Sequence, residues 1–302
     1  MKAIVVLNRG SGAVDPAKTE AEAARVAAAF RSAGLEAVVQ AVPASGLDAA
    51  ARAAASSSEA DTVVFGGGDG TLSTGAAALA GGDKVLGVLP LGTFNHFAKD
   101  LGVPLKLEDA VLTIALGHVR EVDVAEVNGR PFLNNSSIGL YPQMVRARDE
   151  LRRHRGMRKG PAMLRAAREV LREPPFLRVD LQVQGDVARV RTPFVFVGNN
   201  RYEMTLFSLG ARSSLERGEL SVYVARNTRR WGIVRLALRA LLGRLRQDKE
   251  FEALTVPHVE VAMHRRIVRV ALDGEVFRME SPLRYRSRPR ALRVLAPEAG
   301  QR

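Results

Sequence analysis

The chain has no cysteine in its 302 residues, which excludes disulfides, thiolate metal centres and cysteine nucleophiles. It also lacks a Walker-A sequence ending in Gly-Lys-Ser/Thr and a nicotinamide-type G-x-G-x-x-G after a strand, so two common nucleotide loops are missing. Aromatic residues make up only 5%, and no basic stretch interleaves them as stacking on bases requires, so nucleic acid is not an expected partner. Internal repeats and low-complexity linkers are absent, although residues 49–60 are biased toward Ala and Ser. The opening apolar run, Met1-Lys2-Ala3-Ile4-Val5-Val6-Leu7-Asn8, is too short for a secretory signal and reads as a buried first strand, with a cytosolic address as the expectation.

Acidic charge is also scarce, but only in one part. Residues 1–120 hold 10 Lys/Arg against 12 Asp/Glu, whereas residues 121–302 hold 35 against 20, so the net charge of +13 belongs to the second half. A positive half joined to a near-neutral one predicts an anionic partner, a membrane surface or nucleic acid by charge alone, and the missing aromatic interleaving leaves the membrane surface as the one expected. With 46% hydrophobic residues, a chain of this length can bury one large core or two moderate ones, and two are expected.

Five residues are the most informative: Gly67-Gly68-Asp69-Gly70-Thr71, preceded by Gly66 and by Thr62-Val63-Val64-Phe65. An apolar strand that ends in glycines and resumes as Leu72-Ser73-Thr74-Gly75 predicts a strand, a tight turn and a helix N-terminus, where backbone N–H groups and the helix dipole favour a phosphate. Asp69 departs from a plain anion loop, because a carboxylate beside a phosphate repels it unless it serves Mg²⁺ or takes a proton. A glycine hairpin would explain Gly-Gly but not Asp-Gly-Thr opening a helix. Asp69 can also be a simple cap of a helix starting near Leu72; Thr71 can give its hydroxyl to a phosphate or only cap.

Around this loop the first half alternates strands at 3–7, 37–42, 62–65 and 85–89 with helices at 16–32 and 47–55 and one after the glycine turn. This is the rhythm of an open parallel sheet with its ligand at the carboxyl ends of the strands. Asn8-Arg9-Gly10-Ser11-Gly12 and Pro90-Leu91-Gly92-Thr93-Phe94-Asn95 follow two of those strand ends. From about residue 122 the pattern turns to short strands, expected at 121–127, 131–135, 177–183, 189–197, 220–225, 259–261, 267–272 and 292–295, which predicts an all-β sandwich.

Two basic helical stretches interrupt that pattern. In 228–248, Val234, Leu238, Leu241 and Leu245 recur at helical spacing with Trp231 and Leu242, and Arg235, Arg239 and Arg246 share a flank. Its arginines recur too often for a membrane span; it reads as a helix at a bilayer surface or as one covering the sandwich with its Leu face. Residues 144–159 carry seven basic residues, among them Arg152, Arg153 and Arg155, against Asp149 and Glu150, a cluster that attracts acidic lipid, is merely solvated, or meets nucleic acid without the aromatic residues that base stacking needs. His96 and His118 have no partner at ligand spacing and read as structural. Asn134-Asn135-Ser136 matches a glycosylation acceptor, empty in a cytosolic chain.

The glycine loop, Pro90–Gly102 (PLGTFNHFAKDLG), Asn134–Leu140 (NNSSIGL), Val197–Asn200 (VGNN) and Leu272–Glu275 (LDGE) stand in an order that resembles the bacterial diacylglycerol kinase-like lipid kinases, relatives of sphingosine and ceramide kinases. The glycine loop alone is less specific, since NAD kinases and phosphofructokinases carry similar ones. The resemblance implies an N-terminal three-layer α/β nucleotide domain, expected at residues 1–121. It implies a C-terminal β-sandwich lipid-substrate domain at 122–302, whose extreme C-terminus can return to the first. ATP and Mg²⁺ are implied in the interdomain cleft, with transfer of the γ-phosphate to a lipid hydroxyl, diacylglycerol first. Carried over by motif, Asn8, Ser11 and Gly12 with Gly66, Gly67, Gly68, Asp69, Gly70, Thr71 and Leu72 would hold ATP, Thr93 and Asn95 would help form that pocket, Asp69 would serve the metal, and Glu275 would be the general base. Apart from the resemblance, Asp273-Gly274-Glu275 reads equally as a hairpin with two solvated acids.

Two departures stand out. Phe94 and His96 occupy positions where the family often has glycine and an acid, which points to altered nucleotide or acceptor fit. Glu216-Arg217-Gly218 stands where Asp-Asp-Gly is usual, and a guanidinium cannot bind Mg²⁺. That puts the family's secondary metal site in question, and Arg217 pairing with a carboxylate is one replacement for the ion. The expected enzyme is thus a cytoplasmic lipid kinase lying peripherally on the anionic inner membrane surface, with a homodimer left open. The alternatives are a soluble NAD kinase and a lipid-binding protein that has lost catalysis.

Overall fold

The structure is a computed structural model that describes residues 2–9, 16–140, 142, 176–205, 208–212, 214–225 and 251–298. The two basic stretches expected to be helical, at 144–172 and 228–248, and the loop residues Ser11 and Gly12 lie outside the described residues. The chain divides into two compact units, Met1–Val124 with Pro289–Arg302, and Ala125–Arg288.

The first unit contains β1 (Lys2–Asn8), α1 (Pro16–Ser32), β2 (Glu36–Val42), α2 (Leu47–Ser56), β3 (Thr62–Gly67), α3 (Asp69–Leu79), β4 (Val85–Pro90), α4 (His96–Leu101) and α5 (Leu107–Leu116). Its strands lie in the order β2-β1-β3-β4, all parallel. The chain's last strand adds Arg293 and Val294, parallel to Val85 and Leu86. Val63, Val64 and Phe65 are fully buried, as a continuous apolar run in a parallel sheet covered on both faces should be. Helix α3 crosses this strand at Gly75, where a Cβ would run into the Phe65 ring. Burying such a ring is worth about 1.5–3 kcal/mol, so glycine is what lets helix and strand close on it.

The strand before the glycine loop is longer than expected. It continues through Gly66 and Gly67, which pair with Leu89 and Pro90 of β4, and the helix starts at Asp69 rather than near Leu72. Helices α4 and α5 were not anticipated either. Leu107, Ala110, Val111 and Ile114 of α5 are buried at the i, i+3, i+4, i+7 spacing of one helix face.

The second unit is built of β6 (Arg130–Phe132), β7 (Asn135–Gly139), β8 (Leu177–Val183), β9 (Asp186–Thr192), β10 (Phe194–Asn199), β11 (Tyr202–Thr205), β12 (Ser208–Arg212), β13 (Leu220–Ala225), β14 (Phe251–Val256), β15 (His258–Met263), β16 (Ile267–Leu272) and β17 (Glu275–Glu280). It also holds the end of β5 (His118–Val127) and the start of β18 (Leu283–Ala296). One sheet runs β14-β13-β10-β7-β16-β17, and β9, β8, β15 and the start of β18 belong to another. Inward residues of both, among them Val195, Val197, Val222, Val270, Leu181, Val261 and Tyr285, form one core. This is the sandwich expected from sequence. Phe194 and Phe196 alternate to the other face of β10, where Tyr202 and Tyr223 cover them, as a two-residue period requires.

Several strand limits differ from the expected ones for local reasons. The stretch 189–197 is two strands, broken at Pro193, which has no N–H to give a ladder. The expected 131–135 is the end of β6 and the start of β7, and 292–295 is the end of the 14-residue β18. Three hairpins close on two-residue turns with both residues at positive φ: Asn128-Gly129, Gln184-Gly185 and Asp273-Gly274. That is the type I′ turn, whose twist matches the strands it joins.

Candidate active site

The carboxyl ends of β1, β3 and β4 bring together most of the residues singled out in the first half. Thr71, at 3% exposure, is tucked under Gly67, where any Cβ would strike its side chain. Asn8 Nδ2 donates to its Oγ1 at 2.9 Å, which ties the end of β1 to the glycine loop. A Cβ on Gly92 would collide with the Cα of Gly68. The loops after β3 and β4 therefore touch backbone to backbone, and glycine is required on the β4 side.

Asn95 holds the second loop. Its backbone is left-handed, with φ 52; its Oδ1 accepts from Gly92 N at 3.0 Å, and its Nδ2 donates to Pro90 O at 3.1 Å and Gly92 O at 2.9 Å. All of these bonds stay within the loop, so this buried side chain shapes the pocket wall. Thr93 and Phe94 are exposed at the loop's tip, and the Phe94 ring stacks on His96 with centroids 5.7 Å apart.

Asp69 does not cap its own helix. The N-cap of α3 is Gly68, without a side-chain cap, and Asp69 Oδ1 instead accepts the N–H of Phe97 at 3.2 Å, at the start of α4. The carboxylate is thus fixed at the mouth of the glycine loop, and its Oδ2 accepts no hydrogen bond among the described residues. The N–H groups of Asp69 and Gly70 precede the first bonds of α3, which Thr71 and Leu72 donate to Gly68 O at 2.9 and 3.1 Å. An N-terminus of this kind, lined by Gly67, Gly68 and Gly92, suits an anion such as phosphate.

Leu72 is a correction to the expected nucleotide set. Its side chain is fully buried and its N–H is spent on Gly68 O, so it belongs to the core beneath the loop.

The second unit holds the Asp-Gly-Glu sequence on the turn between β16 and β17. Asp273 is not a solvated turn acid. Its Oδ2 accepts from Leu133 N at 2.8 Å and its Oδ1 from Asn134 N and Asn135 N at 2.8 and 3.0 Å, so one carboxylate gathers three successive backbone donors. Glu275 is exposed at the first position of β17.

Beside this turn, the Arg212 guanidinium is buried and donates to Leu133 O at 2.6 Å and to Asn134 Oδ1 at 3.0 Å. That leaves Asn134 no room for a glycan. Sequence reasoning missed both Asp273 and Arg212 as organisers; the repeated Asn in Asn134-Asn135 was the only available signal. Arg217 is exposed and has no carboxylate partner among the described residues. Its N–H donates to Asn200 Oδ1 at 3.1 Å.

No group of three or more His, Cys, Asp or Glu among the described residues could enclose a metal. The donor set at Asp69 fits Mg²⁺ of the substrate-borne kind, which needs one or two carboxylates and takes its other ligands from phosphate oxygens and water.

Comparison with known proteins agrees with this layout. Residues 2–127 match the family model of the diacylglycerol kinase catalytic domain, and residues 144–296 match that of the YegS C-terminal NAD kinase beta sandwich-like domain. A Pseudomonas fluorescens protein named "Probable lipid kinase YegS-like" is 32% identical over 239 residues, 78% of this chain and 77% of that one. An uncharacterized Synechocystis sp. protein is 30% identical over 165 residues, and the match spans only 37% of its length. A Yersinia pestis protein, also named "Probable lipid kinase YegS-like", is 42% identical over 84 residues, 28% of its length. A crystal structure of a diacylglycerol kinase from Bacillus anthracis shares the fold, with a TM-score of 0.68 at 21% identity over 99% of this chain and 97% of that one.

Proposed function

The chain belongs to the YegS-like lipid kinase family, with its diacylglycerol kinase catalytic domain and YegS-type sandwich, and from this premise we propose that it transfers the γ-phosphate of ATP to a hydroxyl of a membrane lipid, diacylglycerol first. The observation that carries this reading is the glycine cradle at the N-terminus of α3 with the Asp69 carboxylate held at its mouth by Phe97 N–H.

In this reading Asn8, Gly66, Gly67, Gly68, Gly70 and Thr71 form the triphosphate cradle, and Asn95 holds the loop that carries Thr93 against it. Backbone N–H groups supply most of the contact, which suits a half of the chain with only 10 Lys/Arg in its first 120 residues. Mg²⁺, when bound, neutralises charge on the phosphates, with Asp69 as its protein ligand. Glu275 accepts the proton of the attacking hydroxyl as it is lost, and Asp273 fixes the turn from which Glu275 projects.

No described helix is long and apolar enough to cross a membrane. We assign peripheral association with an anionic bilayer, supported by the 35 Lys/Arg against 20 Asp/Glu of residues 121–302.

The test is an assay with radiolabelled ATP and Mg²⁺, offering a bacterial lipid extract, diacylglycerol in mixed micelles and, because the second family model is named for its likeness to NAD kinase, NAD itself. Label is expected in lipid and in diacylglycerol. Label in NAD alone, or ATP turnover unaffected by Asp69→Ala, would reject the proposal.

A further inference from the structure

On the second unit, strands β8 and β9 pair so that Arg178 lies directly opposite Arg191, and Asp180 opposite Arg189. In the next ladder Met263 of β15 is opposite Val179, so His264 follows on toward Arg178. Arg178, Arg189, Arg191, His264 and Asp180 line one open hollow of about 480 Å³.

Among the described residues one ion pair forms here: Asp180 Oδ1 stands 3.8 Å from Arg189 Nε. Arg178 and Arg191 have no carboxylate partner among the described residues, and the Arg191 guanidinium lies over the Phe176 ring at 4.7 Å.

Like charges directly opposite each other on antiparallel strands destabilise the pair. The core does not require them, since it is Val179 and Leu181, on the other face of β8, that pack into it. Two arginines directly opposite each other and lining one hollow offer guanidinium N–H donors of the kind that take up phosphate oxygens in pairs. A dianionic phosphate would cancel the repulsion that the register builds in.

We propose that this hollow is a phosphate-binding site, apart from the glycine loop, that takes the phosphate of an acidic phospholipid headgroup. Charge complementarity selects that occupant, in a part of the chain already strongly basic. The site does not depend on the transfer chemistry, so it can be tested by binding alone.

The experiment uses the full chain, the variant Arg178→Gln/Arg191→Gln, and as a charge-matched control Arg31→Gln/Arg52→Gln, two exposed positions of the first unit. Thermal unfolding is followed with inorganic phosphate or sodium chloride at equal ionic strength, and sedimentation with phosphatidylcholine vesicles containing a minor fraction of phosphatidic acid.

The wild type and the control should gain Tm with phosphate and bind the vesicles. The β8–β9 variant should melt no lower than wild type without phosphate, lose the part of the phosphate response that the glycine loop does not supply, and bind vesicles about 25-fold more weakly, about 5-fold for each arginine removed. A variant that loses the phosphate response but binds vesicles like wild type overturns the headgroup assignment in favour of a free phosphoester. One that keeps both responses, or a control that loses as much, overturns the site.

Discussion

Asp69 Oδ1 accepts the backbone N–H of Phe97 at 3.2 Å, joining the first residue of α3 to the first turn of α4 across 28 residues of sequence. The same carboxylate is the proposed metal ligand, so a loss of activity on its removal has two possible causes, which two substitutions separate. Asp69→Asn keeps an acceptor for Phe97 N–H and should leave Tm near that of wild type, yet reduce ATP turnover at least about 100-fold, because a neutral amide cannot offset Mg²⁺. Asp69→Ala should also lose about 1 kcal/mol in denaturant unfolding, the typical worth of such an end-of-helix bond. Full activity in Asp69→Asn would refute the metal assignment while leaving the structural one intact.

The two facing glycines should respond in opposite ways. Gly68 has an extended backbone, φ −88 and ψ −175, and a Cβ there would sit 3.5 Å from Gly92 Cα, an ordinary contact. Gly68→Ala should therefore fold with unchanged Tm but bind ATP more weakly, because its methyl group intrudes on the cradle. Gly92→Ala drives a Cβ into the Gly68 backbone and should cost about 1–3 kcal/mol in urea unfolding, as overpacking does. Equal KM values for ATP in Gly68→Ala and wild type would place the nucleotide elsewhere.

These pairs also show which parts of the molecule could be read beforehand. Thr62–Phe65 followed by Gly-Gly-Asp-Gly-Thr revealed strand, turn and helix because an apolar run, glycines and a helix start act on neighbours in the chain. Asp273-Gly274 likewise revealed a hairpin turn, since only certain residues tolerate two successive positive φ angles. The partners of Asp69 and Asp273 were not legible. The first lies 28 residues away and the second 138 to 140, and both partners are backbone N–H groups, which leave no trace in residue identity. The hairpin alternative accordingly left Asp273 solvated, although it is tied down by three donors. Leu72 was misassigned for a related reason: adjacency to a motif in sequence says nothing about which way a helical side chain points.

Tyr285 is buried and its hydroxyl lies 2.9 Å from Ser136 Oγ. Burial, partly offset by that bond, raises its pKa well above the ordinary phenol range. The folded state thus keeps a proton that the unfolded state releases above about pH 10, so stability is intact below that pH and declines above it, by up to about 1.4 kcal/mol per pH unit. Tyr285→Phe should cost about 1 kcal/mol at neutral pH through the lost hydrogen bond and show a shallower decline in urea stability between pH 10 and 11.5. Parallel curves for the two proteins would mean that Tyr285 does not hold its proton as burial demands.

Adjacent acids on one turn provide the sharpest division of labour. Asp273 binds three backbone N–H groups, whereas Glu275 is exposed two residues on. Asp273→Asn replaces one accepting oxygen by an NH₂ that faces an N–H donor, and should cost about 2–3 kcal/mol in stability. Glu275→Gln should leave Tm within about 0.5 kcal/mol of wild type in equivalent terms, since exposed substitutions rarely exceed that. Its effect should appear in catalysis: kcat for lipid phosphorylation reduced about 100-fold or more, with KM for ATP unchanged, as expected for loss of a general base that does not touch the nucleotide. Mass spectrometry of phosphorylated lipid gives the rate and identifies the acceptor in one measurement. A kcat unchanged in Glu275→Gln, with Asp273→Asn inactive even at temperatures where it stays folded, would move the base assignment from Glu275 to its neighbour.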